Sequence, residues 1–168
     1  RRGESLHAGG EALTVAELLE VSRKVERELR ASHSIRIHLD LPMAFRPLPT
    51  IMCGDGCSVC GIRNILGLLA DGSYALCGIG EALPELVFGR AGRGELAAVW
   101  QGHPALRRLR EGLPGKLQGI CGRCLMAPAC LGSCVAQNYY RSGDLLGPFW
   151  FCEMAEQAGL FPRTRLRP

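Results

Sequence analysis

The sequence predicts an α+β chain in two parts: a helix and a strand left from an α/β barrel or layer, then a small cysteine-rich region of one β-hairpin and several short helices. Three observations carry this. Apolar residues recur at helical spacing near the start, they alternate singly just after it, and all nine cysteines fall from residue 53 onward. At 168 residues the chain can bury one modest core, or a fragment of a larger domain plus a small metal-stapled one. We therefore take residues 1–50 as the barrel remnant and residues 51–168 as the cysteine-rich domain.

The elements follow in order. Thr14 and Glu17 have the spacing of a capping box, and Val15, Leu18, Val21, Val25 and Leu29 then predict an amphipathic helix over 15–31. Ile35, Ile37, Leu39 and Leu41 alternate with Arg36, His38 and Asp40, the period of a half-buried strand, which Pro42 ends. Helix then strand is the order expected of the last unit of a barrel whose earlier units lie upstream. The opening Arg1-Arg2-Gly3-Glu4-Ser5, without an initiating Met, reads as a cut end.

From about Met52, glycine and cysteine become frequent and apolar runs shorten, so the core there needs support beyond burial. Residues 65–69 and 74–77 flank Ala70-Asp71-Gly72-Ser73, and Asp-Gly supplies the positive φ of a tight hairpin turn. Short helices are expected over 94–100 and 104–111, the second stopped by Gly112 and Pro114, with Leu96, Val99, Trp100, Leu106 and Leu109 to pack. Two more are expected over 131–141 and over 153–158 before Gly159.

Composition narrows the function classes. Hydrophobic content is 47% and charged content 21%, and no run of about 18 apolar residues exists to span a bilayer. Net charge is +4, but Arg107, Arg108, Arg110, Arg163, Arg165 and Arg167 are scattered and aromatic residues make up only 6%, which gives nucleic acid little to bind. Arg107 to Arg110 reads as a solvated helix face. An odd number of cysteines with no secretory leader argues against an extracellular disulfide framework and for metal ligation in a reducing compartment, the cytoplasm.

The cysteines divide into Cys53, Cys57, Cys60 and Cys77 upstream and Cys121, Cys124, Cys130, Cys134 and Cys152 downstream. Cys121-x2-Cys124 lets two thiolates grip one centre. Cys130-x3-Cys134 either shares a helix face or is splayed by a turn toward two centres, and spacing leaves both open. Nine thiols suit two four-thiolate sites.

Taken together, Cys60-x11-Gly72-x4-Cys77, a gap, Cys121-x2-Cys124-x5-Cys130-x3-Cys134, a gap and Cys152 resemble the seven-cysteine signature of SPASM domains, the C-terminal auxiliary domains of radical S-adenosylmethionine enzymes. The segments 75–80 and Asn138-Tyr139-Tyr140 look like the members of that family that mature ribosomally made peptides. The resemblance implies two auxiliary [4Fe-4S] clusters with interleaved ligands. Cys60, Cys77 and Cys134 would hold the first, its fourth ligand being Cys53 or Cys57 unless that iron stays open for a substrate thiolate. Cys121, Cys124, Cys130 and Cys152 would hold the second. It also implies S-adenosylmethionine and a third [4Fe-4S] cluster in a missing upstream part, a peptide substrate, and an electron donor or acceptor protein. The truncated chain alone is expected to be inactive.

Cys53-x3-Cys57-x2-Cys60 has the spacing that holds the catalytic cluster of radical S-adenosylmethionine enzymes. In that family it follows the first barrel strand and precedes a long series of α/β repeats, whereas here a glycine-rich hairpin follows, and Val59 replaces the usual aromatic. We do not assign it that role. A zinc-stapled module with two four-cysteine sites is the competing reading, but only Cys57-x2-Cys60 and Cys121-x2-Cys124 have the knuckle spacing. His103, beside Pro104, reads as a surface histidine; Trp100, Tyr139, Tyr140, Phe149 and Trp150 read as an apolar shell around the thiols; Asp144 and Glu153 have no assigned role. The glycine-rich backbone near Cys77 and Cys134 is expected to offer N–H donors to sulfur.

Overall fold

A capped helix opens the computed structural model, which describes residues 13–29, 40–52, 60–78, 83–92 and 96–168. Helix α1 (Val15–Lys24) starts at the expected capping box: the Glu17 N–H donates to Thr14 Oγ1 at 3.2 Å and the Thr14 N–H to Glu17 Oε2 at 2.7 Å. It passes into a wider π turn at Val25–Leu29. The expected apolar stripe is corrected here. Its buried face runs through Val15 and Ser22 with Leu18 and Leu19 partly buried, while Val21 and Leu29 are exposed. Two full turns on from Val15 is Ser22, not Val21, and the π turn then shifts the register further.

The strand expected over 35–41 lies largely outside the described residues; Asp40 and Leu41, which are described, are not in a strand. A 3-10 turn (Met43–Phe45) and a short helix α2 (Leu48–Met52) follow. Arg46 is buried among them, where its Nε donates to the Leu41 carbonyl at 2.9 Å and its guanidinium meets Asp40 at 3.5 Å.

The expected hairpin is present but shorter, β1 (Gly67–Leu68) pairing antiparallel with β2 (Ser73–Ala75), Gly67 opposite Ala75 and Leu68 opposite Tyr74. Asp71 shapes the turn by accepting from the Ser73 N–H and Oγ at 2.9 and 2.8 Å, and Gly72 has φ +85°. A third strand not expected from the sequence, β3 (Val87–Arg90), pairs with β2 across a bulge at Tyr74 and Ala75 and gives the order β1-β2-β3. Its run of four residues has too little alternation to announce a strand.

Helices α3 (Leu96–Gly102) and α4 (Pro104–Gly112) pack on each other. His103 caps α4, its Nδ1 accepting from the Ala105 N–H at 3.3 Å while its ring stacks on Phe88 at 4.2 Å. That cap is a structural role the sequence reading did not give it. Four short helices complete the fold: α5 (Gly119–Arg123), α6 (Ala127–Cys130), α7 (Val135–Ser142) and α8 (Trp150–Gln157). The helix expected from residue 131 starts only at Val135, because Leu131, Gly132 and Ser133 adopt positive φ and break it from α6. The helix expected from residue 153 starts three residues earlier, at Trp150. Helix α8 lies against α1, α5 and α7. After it, a 3-10 turn (Arg163–Arg165) returns the chain to α5, with the Leu125 N–H donating to the Arg165 carbonyl at 2.8 Å and the Arg167 N–H to the Arg123 carbonyl at 2.8 Å.

Val15, Ala44, Ile62, Leu76, Leu86, Leu106, Ile120, Val135, Phe151 and Phe161 belong to one buried cluster, so the described residues before and after position 51 share a core. The architecture is mixed helix with a small antiparallel sheet, as expected of an α+β chain. Among the described residues no helix is long and apolar enough to cross a membrane.

Candidate metal centre

The downstream cysteines reach the core because three short elements end there together. Helix α5 carries Cys121 and is stopped at Cys124; α6 ends at Cys130; and Cys152 lies on the buried face of α8. These four thiols line one small, partly open cavity of about 20 Å³, with Ala44, Ile120, Met126, Ala127 and Phe161 on its wall. Its wall is apolar apart from sulfur, the setting in which thiolates and the backbone must satisfy whatever charge sits there. Gly122, between the first two cysteines, is packed so tightly that a Cβ on it would overlap the Leu117 carbonyl oxygen.

Backbone N–H groups point at the sulfurs. Phe149 donates to Cys121 Sγ and Met126 to Cys124 Sγ, each at 3.3 Å. Ala127 adds a second donor to Cys124, and Ser133 and Met43 supply two to Cys130. Among the described residues Ser133, in the glycine-rich backbone beside Cys134, is one donor of the expected kind, and the others come from the chain around the buried cysteines and from Ile62, which donates to Cys60.

The thiols act on one another. A hydrogen bond between the Cys121 and Cys152 side chains holds Cys121 below the usual thiol range and, with burial and the charges of Cys121, Cys130 and Cys124, pushes Cys152 far above it. Burial raises Cys124 and Cys130, and the Arg165 guanidinium partly offsets this at Cys124. That arginine is itself fixed by donating to the carbonyls of Ala44 and Arg46 at 3.4 and 3.1 Å.

A second group forms beside the sheet. Cys60 is raised by burial first and then by the nearby Cys134 and Cys77, so these three thiols, far apart in sequence, share a neighbourhood. All three are half-buried. Cys77 follows β2, and a Cβ on Gly67 in β1 would stand 3.0 Å from the Cys77 carbonyl carbon, so the hairpin glycine is what lets this backbone come close. Cys53 and Cys57, the candidates for its fourth ligand, lie outside the described residues.

Among the described residues, no group of three or more Cys, His, Asp or Glu side chains is gathered tightly enough to hold a single metal ion. A tetrahedral zinc site with Zn–S of about 2.3 Å draws its sulfurs to within about 4 Å of each other. Four thiols on one apolar wall are, in donor chemistry, a set that suits zinc or an iron-sulfur cluster.

Other expected residues fall as follows. Trp100, Tyr139, Phe149 and Trp150 are partly buried against the core cluster that holds the thiols, Trp100 also lying under Arg110 at 5.1 Å, whereas Tyr140 is exposed and outside such a shell. Asp144 accepts from Arg108 at 2.7 Å, Gln118 at 2.6 Å and the Leu146 N–H at 2.9 Å; Glu153 pairs with Arg141 at 3.4 Å. Both are structural ties. The sequence reading missed Ala44, which lines the cavity, and Met43 and Arg165, which act on Cys130 and Cys124 from distant parts of the chain and carry no local signal of it.

No protein-family model matches the chain, and no curated protein or solved structure is significantly similar to it.

Proposed function

We propose that residues 51–168 are the auxiliary cluster-binding domain of a radical S-adenosylmethionine enzyme that modifies a ribosomally made peptide. In this reading Cys121, Cys124, Cys130 and Cys152 hold one [4Fe-4S] cluster. Cys60, Cys77 and Cys134 hold another, with Cys53, Cys57 or a substrate thiolate as fourth ligand. One observation carries it: cysteines that alternate along the chain sort in space into two groups, with Cys134 leaving its sequence neighbours to join Cys60 and Cys77.

When bound, such clusters supply one-electron chemistry, exchanged with a donor or acceptor protein. The chain's own residues do the rest. The N–H groups of Phe149, Met126, Ala127, Ser133 and Met43 stabilise negative charge on sulfur. Arg165 adds a fixed positive charge beside Cys124, and Ile120, Ala127 and Phe161 give the cavity an apolar wall. The half-buried group beside the sheet is the one a peptide can approach. S-adenosylmethionine and the radical-generating cluster belong, in this reading, to a part of the enzyme upstream.

Protein purified anaerobically and reconstituted with iron and sulfide is expected to bind about eight irons and eight sulfides per chain. A colourless protein with about two zinc ions per chain and no retained iron would replace this reading with the zinc-stapled module.

A further inference from the structure

Between Cys130 and Cys134 three consecutive residues have left-handed backbone: Leu131 at φ +54°, Gly132 at +79° and Ser133 at +59°. Glycine adopts this freely, but in leucine and serine the Cβ crowds the following carbonyl oxygen, so such a turn persists only where its surroundings hold it. The turn has a consequence for the thiols. An unbroken helix would put Cys130 and Cys134 on one face, four residues apart. Broken here, the chain leaves Cys130 beside Cys121 and Cys124 and carries Cys134 to Cys60.

One polar side chain reaches back into the turn. Asn138, only 1% exposed, donates from Nδ2 to the Gly132 carbonyl at 2.9 Å, while its backbone N–H donates to the Cys134 carbonyl at 3.1 Å. Leu117 presses from another side, its Cδ2 3.0 Å from where a Cβ on Gly132 would be. A buried carbonyl that loses its donor is penalised, so this bond selects one orientation of the turn's central peptide. A buried amide is an expensive way to fill space that a leucine could occupy, and its bond to the turn is the return.

We propose that Asn138 is a positioning residue: by holding the Leu131–Ser133 turn it sends Cys130 and Cys134 to different thiol groups and so makes the two sites assemble together. Its meaning for clusters rests on the two-site reading above, but the arrangement concerns thiols alone.

The test uses the full chain, reduced and free of metal, treated with a short bifunctional thiol reagent and mapped by mass spectrometry. The wild-type protein is expected to link Cys130 to Cys121, Cys124 or Cys152, and Cys134 to Cys60 or Cys77. Asn138→Leu, which keeps the branched outline at somewhat larger volume and removes the donor, is expected to raise the Cys130–Cys134 product about tenfold, the weight of one hydrogen bond. Asn138→Asp, of the same shape, is expected to do the same at alkaline pH, where the carboxylate has no donor, and to return toward the wild-type map as acid protonates it. Leu106→Ala, a core truncation on α4, controls for general loosening and should keep the wild-type map while lowering stability. An unchanged map in both Asn138 variants, or a dominant Cys130–Cys134 link in the wild type, overturns the proposal. If both variants fail to fold, the wild type still decides: the Asn138 side-chain amide protons should exchange slowly, and exchange at the rate of free amide overturns it. None of these readings needs metal, so iron, zinc or neither in the reconstitution leaves this test standing.

Discussion

The two thiol groups present the same donor atom, sulfur, in different surroundings, though Cys130 of the first is partly buried like the second. Cys121, Cys124 and Cys152 are 6–7% exposed and count among the core residues themselves, whereas Cys60, Cys77 and Cys134 are half-buried at the margin of a three-stranded sheet. The first group closes on itself with four cysteines from α5, α6 and α8; the second joins three cysteines from distant parts of the chain. In a core, any group held by the thiols also ties together the helices that carry them. At a margin, it is reachable from outside. On the function proposed above, the buried group would serve stability and the other exchange with the outside.

The sharpest way to break that contrast is to remove one ligand from each group. Cys152→Ser is expected to lower bound iron from about eight to about four per chain and to give the larger fall in thermal midpoint. Cys77→Ser is expected to lose as much iron with a smaller fall in midpoint. Iron assay and thermal unfolding of both variants decide it, and equal midpoints would mean that the buried group is no more structural than the other. A middle-sized effect comes from the two close-packed glycines. Gly122→Ala forces a methyl against the fixed Leu117 carbonyl and should cost about 3 kcal/mol in urea unfolding, and Gly67→Ala, with slightly more room at Cys77, about 1 kcal/mol. The reverse order would move the rigid site to the sheet.

The smallest effect is one of pH, on the sheet side. Burial holds His103 below its ordinary value of 6.5, and the neutral ring is what accepts the Ala105 N–H and stacks on Phe88. With the folded value lower than the unfolded one, the unfolded chain binds more protons between the two. The histidine's contribution is therefore full above about pH 6.5 and is lost as pH falls through the lowered folded value. His103→Asn retains a capping acceptor without a titrating ring, and urea unfolding from pH 7 down to pH 5 should show a flatter acid limb. The same slope in both proteins would remove His103 as its source.

Local signals were legible where the physics is local. Thr14 and Glu17 announce their capping box three residues apart, and Asp71-Gly72 announces its turn, because these hydrogen bonds close within the segment that encodes them. The stripe through Val21 failed for an equally physical reason. Periodicity says that a face exists, but packing chose the one through Ser22. Strand β3 was missed because four residues with one buried side chain carry almost no pattern, and its pairing with β2 is what makes it a strand. In the site, the seven cysteines could be named from their intervals and their division was implied by the SPASM resemblance alone, but Ala44 on the cavity wall and Met43 and Arg165 beside its cysteines could not be named, since about 120 residues of chain separate them.

What the sequence determined by itself was the donor set, nine thiols with fixed intervals, because ligand chemistry resides in side chains and short spacings survive any fold. Which thiols share a neighbourhood was decided only in three dimensions. Cys130 and Cys134 are four residues apart under either arrangement, and it is the backbone of Leu131, Gly132 and Ser133, set by Asn138 and Leu117 packing from outside the turn, that parts them.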